Sequence, residues 1–310
     1  MTTPTAPAAR LWLDLAGVHL EGVTWDAAAT GGDPRLLLVD LSPGLVHEIE
    51  VAADGGPGAA RRRGLTAPIT AVHPTTRPGT LLVADGDGAA LVDADGRVER
   101  LADPLAGRPG IRMNDGNVDP AGRYFVGSMA YDTTPGAACL YRLDPDRSLH
   151  TVLTDVTISN GIDWSPDATR CYYADTPLDR IDVLDYDLAT GELSGRRVFV
   201  DTAALPGLPD GLTVDAEGFV WAAFWGGWQV CCFAPDGSLV ATVALPVSQV
   251  TSCAFGGPGL DRLFVTTSTE GLDDDALDAQ PGAGGLFVTE PGRRGRAATP
   301  YAVPAPASAR

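Results

Sequence analysis

The stretch GLTVDAEGFVWAAFW at residues 211–225 decides the fold. A few apolar residues run into a polar turn, and a stronger apolar run with aromatics follows, as in two short strands joined by a reversal. The same pattern recurs as GVTWDAAATGGDPRLLLVD at 22–40, ITAVHPTTRPGTLLVAD at 69–85, GNVDPAGRYFVGSM at 116–129, GIDWSPDATRCYYAD at 161–175 and TSCAFGGPGLDRLFVTTS at 251–268. With the first turn residue as marker, the copies stand at Asp26, His73, Asp119, Ser165, Asp215 and Gly256, at intervals of 47, 46, 46, 50 and 41 residues. Six copies at a period in the forties predict an all-β, six-bladed β-propeller with four-stranded antiparallel blades around a central channel. Between markers there is room for two more strands, such as CLYRLDP with LHTVLTD and VCCFAPD with SLVATVAL, each pair a hairpin with a Pro-Asp turn. A β-sandwich would not place six markers in phase.

The composition agrees. The chain has 310 residues, 37 of them glycine and 25 proline, with 45% apolar residues and a mean hydropathy near zero. That density of chain-breakers argues against a helical bundle. No linker or change of composition divides the chain, so residues 1–310 read as one propeller domain. Residues 1–10 and the tail 304–310 read as loose ends. The net charge is −18, and all 22 cations are arginine, because lysine is absent. Such a surface repels phosphate backbones and anionic lipid, which excludes nucleic-acid and peripheral-membrane partners. Absence of lysine excludes Schiff-base chemistry and a Walker-A loop. The five cysteines show no C-x-x-C, and no apolar run at the start resembles a signal peptide, so a reducing, cytoplasmic setting is expected. No obligatory protein partner is implied.

Five residues before each marker stand Glu21, Pro68, Asn114, Asn160, Asp210 and Thr251. In a propeller, one phase of each blade lies at one height and radius, so Glu21, Asn114, Asn160 and Asp210 are expected to meet on the axis. Two carboxylates and two amides in a channel repel and desolvate badly unless a cation sits among them. Hard oxygen donors suit Ca²⁺, Mg²⁺ or Mn²⁺, and no histidine stands at this phase, which disfavours a common zinc site. The competing reading is that Asn160-Gly161, Asp210-Gly211 and Asn114-Asp115-Gly116 are ordinary turns. Glu21-Gly22 is not a turn-favouring pair, however, and two of the only three asparagines in the chain occupy this phase.

LEGVTW at 20–25, IRMNDGNVDPAGRYFVGSM at 111–129, ISNGIDWSPD at 158–167, LPDGLTVDAEGFVWAA at 208–223 and VTSCAFGG at 250–257 resemble the senescence-marker-protein/gluconolactonase/luciferin-regenerating-enzyme family. The resemblance implies a six-bladed propeller with one divalent ion in its channel, Ca²⁺ foremost and Mn²⁺, Mg²⁺, Zn²⁺ or Fe²⁺ as alternatives. It implies Glu21, Asn160 and Asp210 as ligands, and Asn114 as a substrate contact or fourth ligand. Arg112 is implied as a substrate-binding cation, and Asp132 stands where some members carry an acidic substrate contact. The first motif departs from the family's Gly-Glu-Gly-Pro: Leu20 precedes Glu21 and Val23 replaces the proline.

The activity so implied is metal-dependent hydrolysis of a sugar lactone, a gluconolactone or pentonolactone, to the aldonic acid. The ion would polarise the carbonyl, and Asp210 or a hydroxide on the ion would activate water. Alternatives are a related hydrolase of organophosphates or other lactones, and a calcium-binding or scaffold propeller without catalysis. No G-x-S-x-G elbow or H-E-x-x-H motif occurs, and His19, His47, His73 and His150 read as surface or turn residues. ADGDGAALVDADG at 84–96 reads as two hairpin turns, Trp221, Trp225 and Trp228 as blade core, and Asp273-Asp274-Asp275 as a solvated loop.

Overall fold

In four of the six repeats the marker's side chain folds the turn that follows it. In the computed structural model, which describes residues 6–304 except 29, 30, 32 and 67, the marker stands at the end of each blade's innermost strand. Asp119 Oδ1 accepts from the amides of Ala121 and Arg123, both at 2.9 Å. Asp215 Oδ1 accepts from Glu217 and Phe219 at 2.9 and 3.0 Å, and Ser165 Oγ accepts from Arg170 at 3.0 Å. A short side-chain acceptor that satisfies turn amides reverses the chain into the next strand.

Six four-stranded sheets result. Their innermost strands are Leu20–Asp26 (blade 1), Ile69–Pro74 (blade 2), Ile111–Val118 (blade 3), Ser159–Trp164 (blade 4), Leu208–Val214 (blade 5) and Val250–Gly256 (blade 6). Blades 1 to 5 run outward in chain order with antiparallel pairing, whereas blade 6 takes its outermost strand, Arg10–Asp14, from the start of the chain. That strand pairs with Gly285–Thr289 in the register Arg10↔Val288 to Asp14↔Gly285. The ring is therefore closed by hydrogen bonds between the chain's two ends. The turns expected within 84–96 flank the strand Ala89–Val92, and all five cysteines are free.

The core lies between blades. Leu38, Ile49 and Trp25 of blade 1 meet Trp12, Phe264 and Leu286 of blade 6, and Tyr124 and Val126 of blade 3 meet Leu82 and Ala84 of blade 2. Each sheet thus buries both faces, which is why its strands read as apolar runs without clean alternation. The ring seam is also latched: Trp12 meets Phe264 edge-on at 5.1 Å, and its Nε1 donates to the Gly55 carbonyl at 2.9 Å.

Several expectations need correction. Residues 6–10 are tied down: the amides of Ala6 and Ala9 donate to Thr242 and Ala244 of blade 5, and Arg10 begins the closing strand. Residues 1–5 and 305–310 lie outside the described residues. At the other end, Tyr301 is buried, its hydroxyl donates to Asp144, and Arg296 reaches Asp163, Trp164 and Val214. The chain after blade 6 so straps the channel end where the innermost strands finish. His47 and His73 are buried, because they lie within strands. Asp273 caps a short helix, Asp274–Ala279, by accepting from Ala276. Among the described residues, no helix is long and apolar enough to cross a membrane.

Two outcomes follow. Trp12→Ala removes the latch and is expected to lower the unfolding free energy by about 3–5 kcal/mol in urea titrations. His73 Nε2 donates to the Gly116 carbonyl at 2.8 Å, and burial pushes its imidazole down to about 4 from 6.5. The unfolded chain therefore binds a proton that the folded chain refuses, so stability falls as pH drops from 6.5 to 4. His73→Phe is expected to flatten that part of the denaturation midpoint against pH.

Candidate metal centre

All six innermost strands slip register near the phase picked out by the repeat. The irregularities fall between Glu21 and Thr24, Ile69 and Ala71, Met113 and Gly116, Asn160 and Ile162, Pro209 and Leu212, and Val250 and Ser252. A bulge bends its strand and re-aims the side chains beside it. The candidate residues thus stand inside the strands, whereas the sequence pattern placed them just ahead of the strands. The glycines that follow them are not turn residues either. A Cβ on Gly161 would come within 2.5 Å of the Asp210 carbonyl oxygen, and one on Gly211 within 2.5 Å of Ser252 Oγ. Glycine at these positions lets neighbouring blades approach closely enough for their side chains to meet.

The amides are held in one orientation. Thr176 Oγ1 must donate to the Pro209 carbonyl at 2.9 Å, so the group of Asn160 that faces Thr176 at 2.9 Å is its Nδ2. Asn160 Oδ1 is left to turn inward, where Asn114 Nδ2 approaches it at 3.3 Å. Asn114 Nδ2 also donates to the Ser159 carbonyl at 2.8 Å, and its Oδ1 accepts from Arg112 Nη1 at 2.7 Å. Asn114 therefore bridges Arg112 to Asn160.

Carboxylates crowd the same place. Glu21 is buried, and its Oε2 accepts from the Gly22 amide at 3.1 Å. Burial, then the facing Glu21 and Asp115, drives the Asp210 carboxyl well above its ordinary value, and Asp210 Oδ1 has no hydrogen-bond partner among the described residues. Asp115 is pushed up to about 7 by burial and by Glu21. Arg112 is the nearby cation: it makes no ion pair among the described residues, lies over the Tyr131 ring at 5.9 Å, and is lowered by burial.

The structure so brings together Glu21, Arg112, Asn114, Asn160 and Asp210. It does not bring Asp132 to them: this residue is exposed, and its carboxylate accepts from Thr134 N and Oγ1 at 3.0 and 2.7 Å, which closes a surface turn. Pro68 and Thr251, at the same phase, offer no carboxylate, and the Thr251 hydroxyl donates to the Leu20 carbonyl at 2.6 Å. The sequence pattern missed Asp115, Thr176, His19 and Glu270. His19 lies 3.6 Å from Glu21 Oε1 and 2.7 Å from Glu270 Oε2; burial alone would lower its imidazole, but the two carboxylates hold it at about 9. Trp225 is half-buried against this ring at 5.5 Å, Trp221 lies in the core as expected, and Trp228 is exposed. The signal for His19 was its spacing of two from Glu21, which puts both on one face of an extended chain.

A divalent cation suits this set. An orphaned buried carboxylate oxygen, a buried glutamate and an inward amide oxygen are hard donors of the kind that hold Ca²⁺, Mg²⁺ or Mn²⁺. Among the described residues no three of His, Cys, Asp and Glu form a metal-holding group, so an ion here depends on the amide oxygen of Asn160.

The fold and this cluster define a six-bladed propeller with an acidic, oxygen-lined site in its axial channel. Residues 20–269 match the profile of the SMP-30/Gluconolactonase/LRE-like region, and the chain belongs to that family. It is similar to regucalcin of Oryctolagus cuniculus, 40% identical over 74% of this chain and 79% of that protein. The crystal structure of regucalcin from Agrobacterium tumefaciens, described as a calcium-binding protein, superposes with a TM-score of 0.89 at 31% identity, covering 97% of this chain and 99% of that one. A gluconolactonase from Xanthomonas campestris shares the fold at a TM-score of 0.71 and 24% identity, covering 94% and 95% of the two chains.

Asp210→Asn replaces a buried, repelled carboxylate by a neutral amide of the same shape. In chelator at mildly alkaline pH, it is expected to raise the unfolding free energy by about 1–2 kcal/mol, read by urea titration.

Proposed function

We propose that the protein is a divalent-metal-dependent lactonase that opens a sugar lactone, a gluconolactone or pentonolactone, to its aldonic acid. The observation that carries the reading is the Asp210 carboxylate oxygen that has no hydrogen-bond partner among the described residues, clustered with Glu21, Asn160 and the guanidinium of Arg112, which makes no ion pair among them. Glu21, Asn160 and Asp210 would hold the ion, most suitably Ca²⁺. When bound, such an ion supplies Lewis acidity toward a carbonyl oxygen.

The chain's own groups account for the rest. Arg112 spends Nη1 on Met113 and Asn114, at 2.9 and 2.7 Å, and keeps its other N–H groups for the hydroxyls of a sugar ring. Leaving such half-buried donors empty is what disfavours a lactone without hydroxyls. The Tyr131 ring and Asn114 keep the guanidinium in one plane for this pairing. Asp210, raised by burial and by its acidic neighbours while the ion is absent, would take a proton from the attacking water through a carboxylate oxygen left free of the ion, since coordination lowers a carboxylate's basicity. The water oxygen bonds to the lactone carbonyl carbon, the ring C–O bond breaks, and the departing oxygen takes the proton from Asp210 and leaves as the hydroxyl of the aldonic acid. The substrate is a small molecule, and the five free cysteines suit a reducing cytoplasm.

A calcium-binding propeller without catalysis is the second reading, favoured by the likeness to a regucalcin described as a calcium-binding protein. A panel of aldonolactones in a pH-stat, with chelated and with ion-restored protein, separates the two. The lactonase reading expects hydrolysis that disappears with chelator and returns with Ca²⁺ or Mn²⁺, and a fall in kcat of about 10²–10⁴-fold for Asp210→Asn. If no sugar lactone is hydrolysed in an ion-dependent way, the lactonase reading falls below the binding one.

A further inference from the structure

We infer that His19 is a positioning residue for the Glu21 carboxylate, held in turn by Glu270, so that a contact between blades 6 and 1 sets the affinity of the site for its cation. The inference rests on the metal-centre reading above and assigns work to residues outside the proposed ligand set.

The main chain at His19 has little freedom. Its amide donates to Asp40 Oδ1 at 2.9 Å, its carbonyl accepts from Leu41 at 2.9 Å, and it bridges to Ser268 of blade 6. The ring is held from three sides. Nδ1 lies 2.7 Å from Glu270 Oε2 and 3.1 Å from Ser268 Oγ, and one face leans on Trp225 with centroids 5.5 Å apart and planes at 31°. The remaining nitrogen, Nε2, then points at Glu21 Oε1 from 3.6 Å. Glu21 Oε2 is meanwhile bound to its own Gly22 amide at 3.1 Å. With Oε2 bound to that amide and Oε1 facing the imidazole at ion-pair distance, the carboxylate is biased toward one plane before it grips a cation.

This is the arrangement by which groups behind a metal ligand orient it, and losing such a partner weakens metal binding by about 10–100-fold. A competing explanation is that His19 only seals the ring, since Ser268 and Glu270 belong to the chain's last blade and His19 to its first. The two differ in what they change. Sealing alone affects unfolding and leaves a folded site's affinity intact. The imidazole is not itself in the proposed ligand set, so a loss of affinity in a folded variant reports the orientation of Glu21.

The test is calorimetric titration of Ca²⁺ into chelator-stripped full-length protein, with thermal unfolding run in parallel. His19→Ala is expected to raise Kd about 10–100-fold, and His19→Gln, which keeps an N–H within reach of Glu21, to recover most of that loss. Glu270→Gln, at an exposed carboxylate, is expected to raise Kd in the same direction by less. A Kd for His19→Ala that is unchanged or lowered, with only the melting temperature reduced, overturns the proposal and leaves the metal centre standing. If His19→Ala does not fold, an unchanged Kd for Glu270→Gln overturns it. Absence of any Ca²⁺ binding by the unsubstituted protein overturns the metal-centre reading itself, and this proposal with it.

Discussion

Mutual repulsion among Glu21, Asp115 and Asp210 is the constraint on which the rest of this structure depends. Carboxylates that close, taken out of water, are stable only as acids or beside a positive charge. The chain answers in part by itself, with Arg112 over Tyr131 and His19 between two glutamates. It leaves Asp210 Oδ1 without a partner among the described residues. A core optimised for stability would put apolar side chains there, as it does all along the seams between blades. Retaining strained acids instead is the usual mark of a site kept for binding or chemistry.

Ring closure and this site are mechanically joined. The blade that carries Glu21 is the first in the chain, and it abuts the last, which is completed by the strand Arg10–Asp14. Trp12 latches the outer part of that seam, and the contacts of His19 with Ser268 and Glu270 hold its inner part. Blades 1 and 4 also share a device. Asp40 accepts from the amides of Val18 and His19, and Asp175 from those of Thr157 and Ile158, just before the strands that carry Glu21 and Asn160. Both strands so enter the channel at a set height.

Fold and site were legible to different depths. Four of the six markers were readable because they do a local job: the side chains of Asp26, Asp119, Ser165 and Asp215 close the turn next to them, and such chemistry leaves its mark in the sequence, whereas His73 and Gly256 only keep the phase. Asn160 and Asp210 could be picked out because they hold a constant offset from those markers. Asp115 could not, because it shares its strand with Asn114 and alternation would send the two to opposite faces; the bulge between Met113 and Gly116 undoes that rule. Asp132 was the reverse case, since a motif offset suggested a contact that an exposed turn does not make. The loose N-terminus was misread for a related reason: a strand whose partner lies at the far end of the chain has no nearby residues to betray it.

What the amino-acid order alone determined is the number of blades, their strand pattern and the phase at which acidic and amide side chains recur, since these follow from local periodicity and turn chemistry. Tertiary structure decided which of those side chains come within reach of one another, which oxygen of Asn160 turns inward, and that His19 and Glu270, from opposite ends of the chain, stand behind Glu21. These depend on ring closure and on the bulges in the innermost strands, and distances across a closed ring are fixed by the packing of all six blades at once.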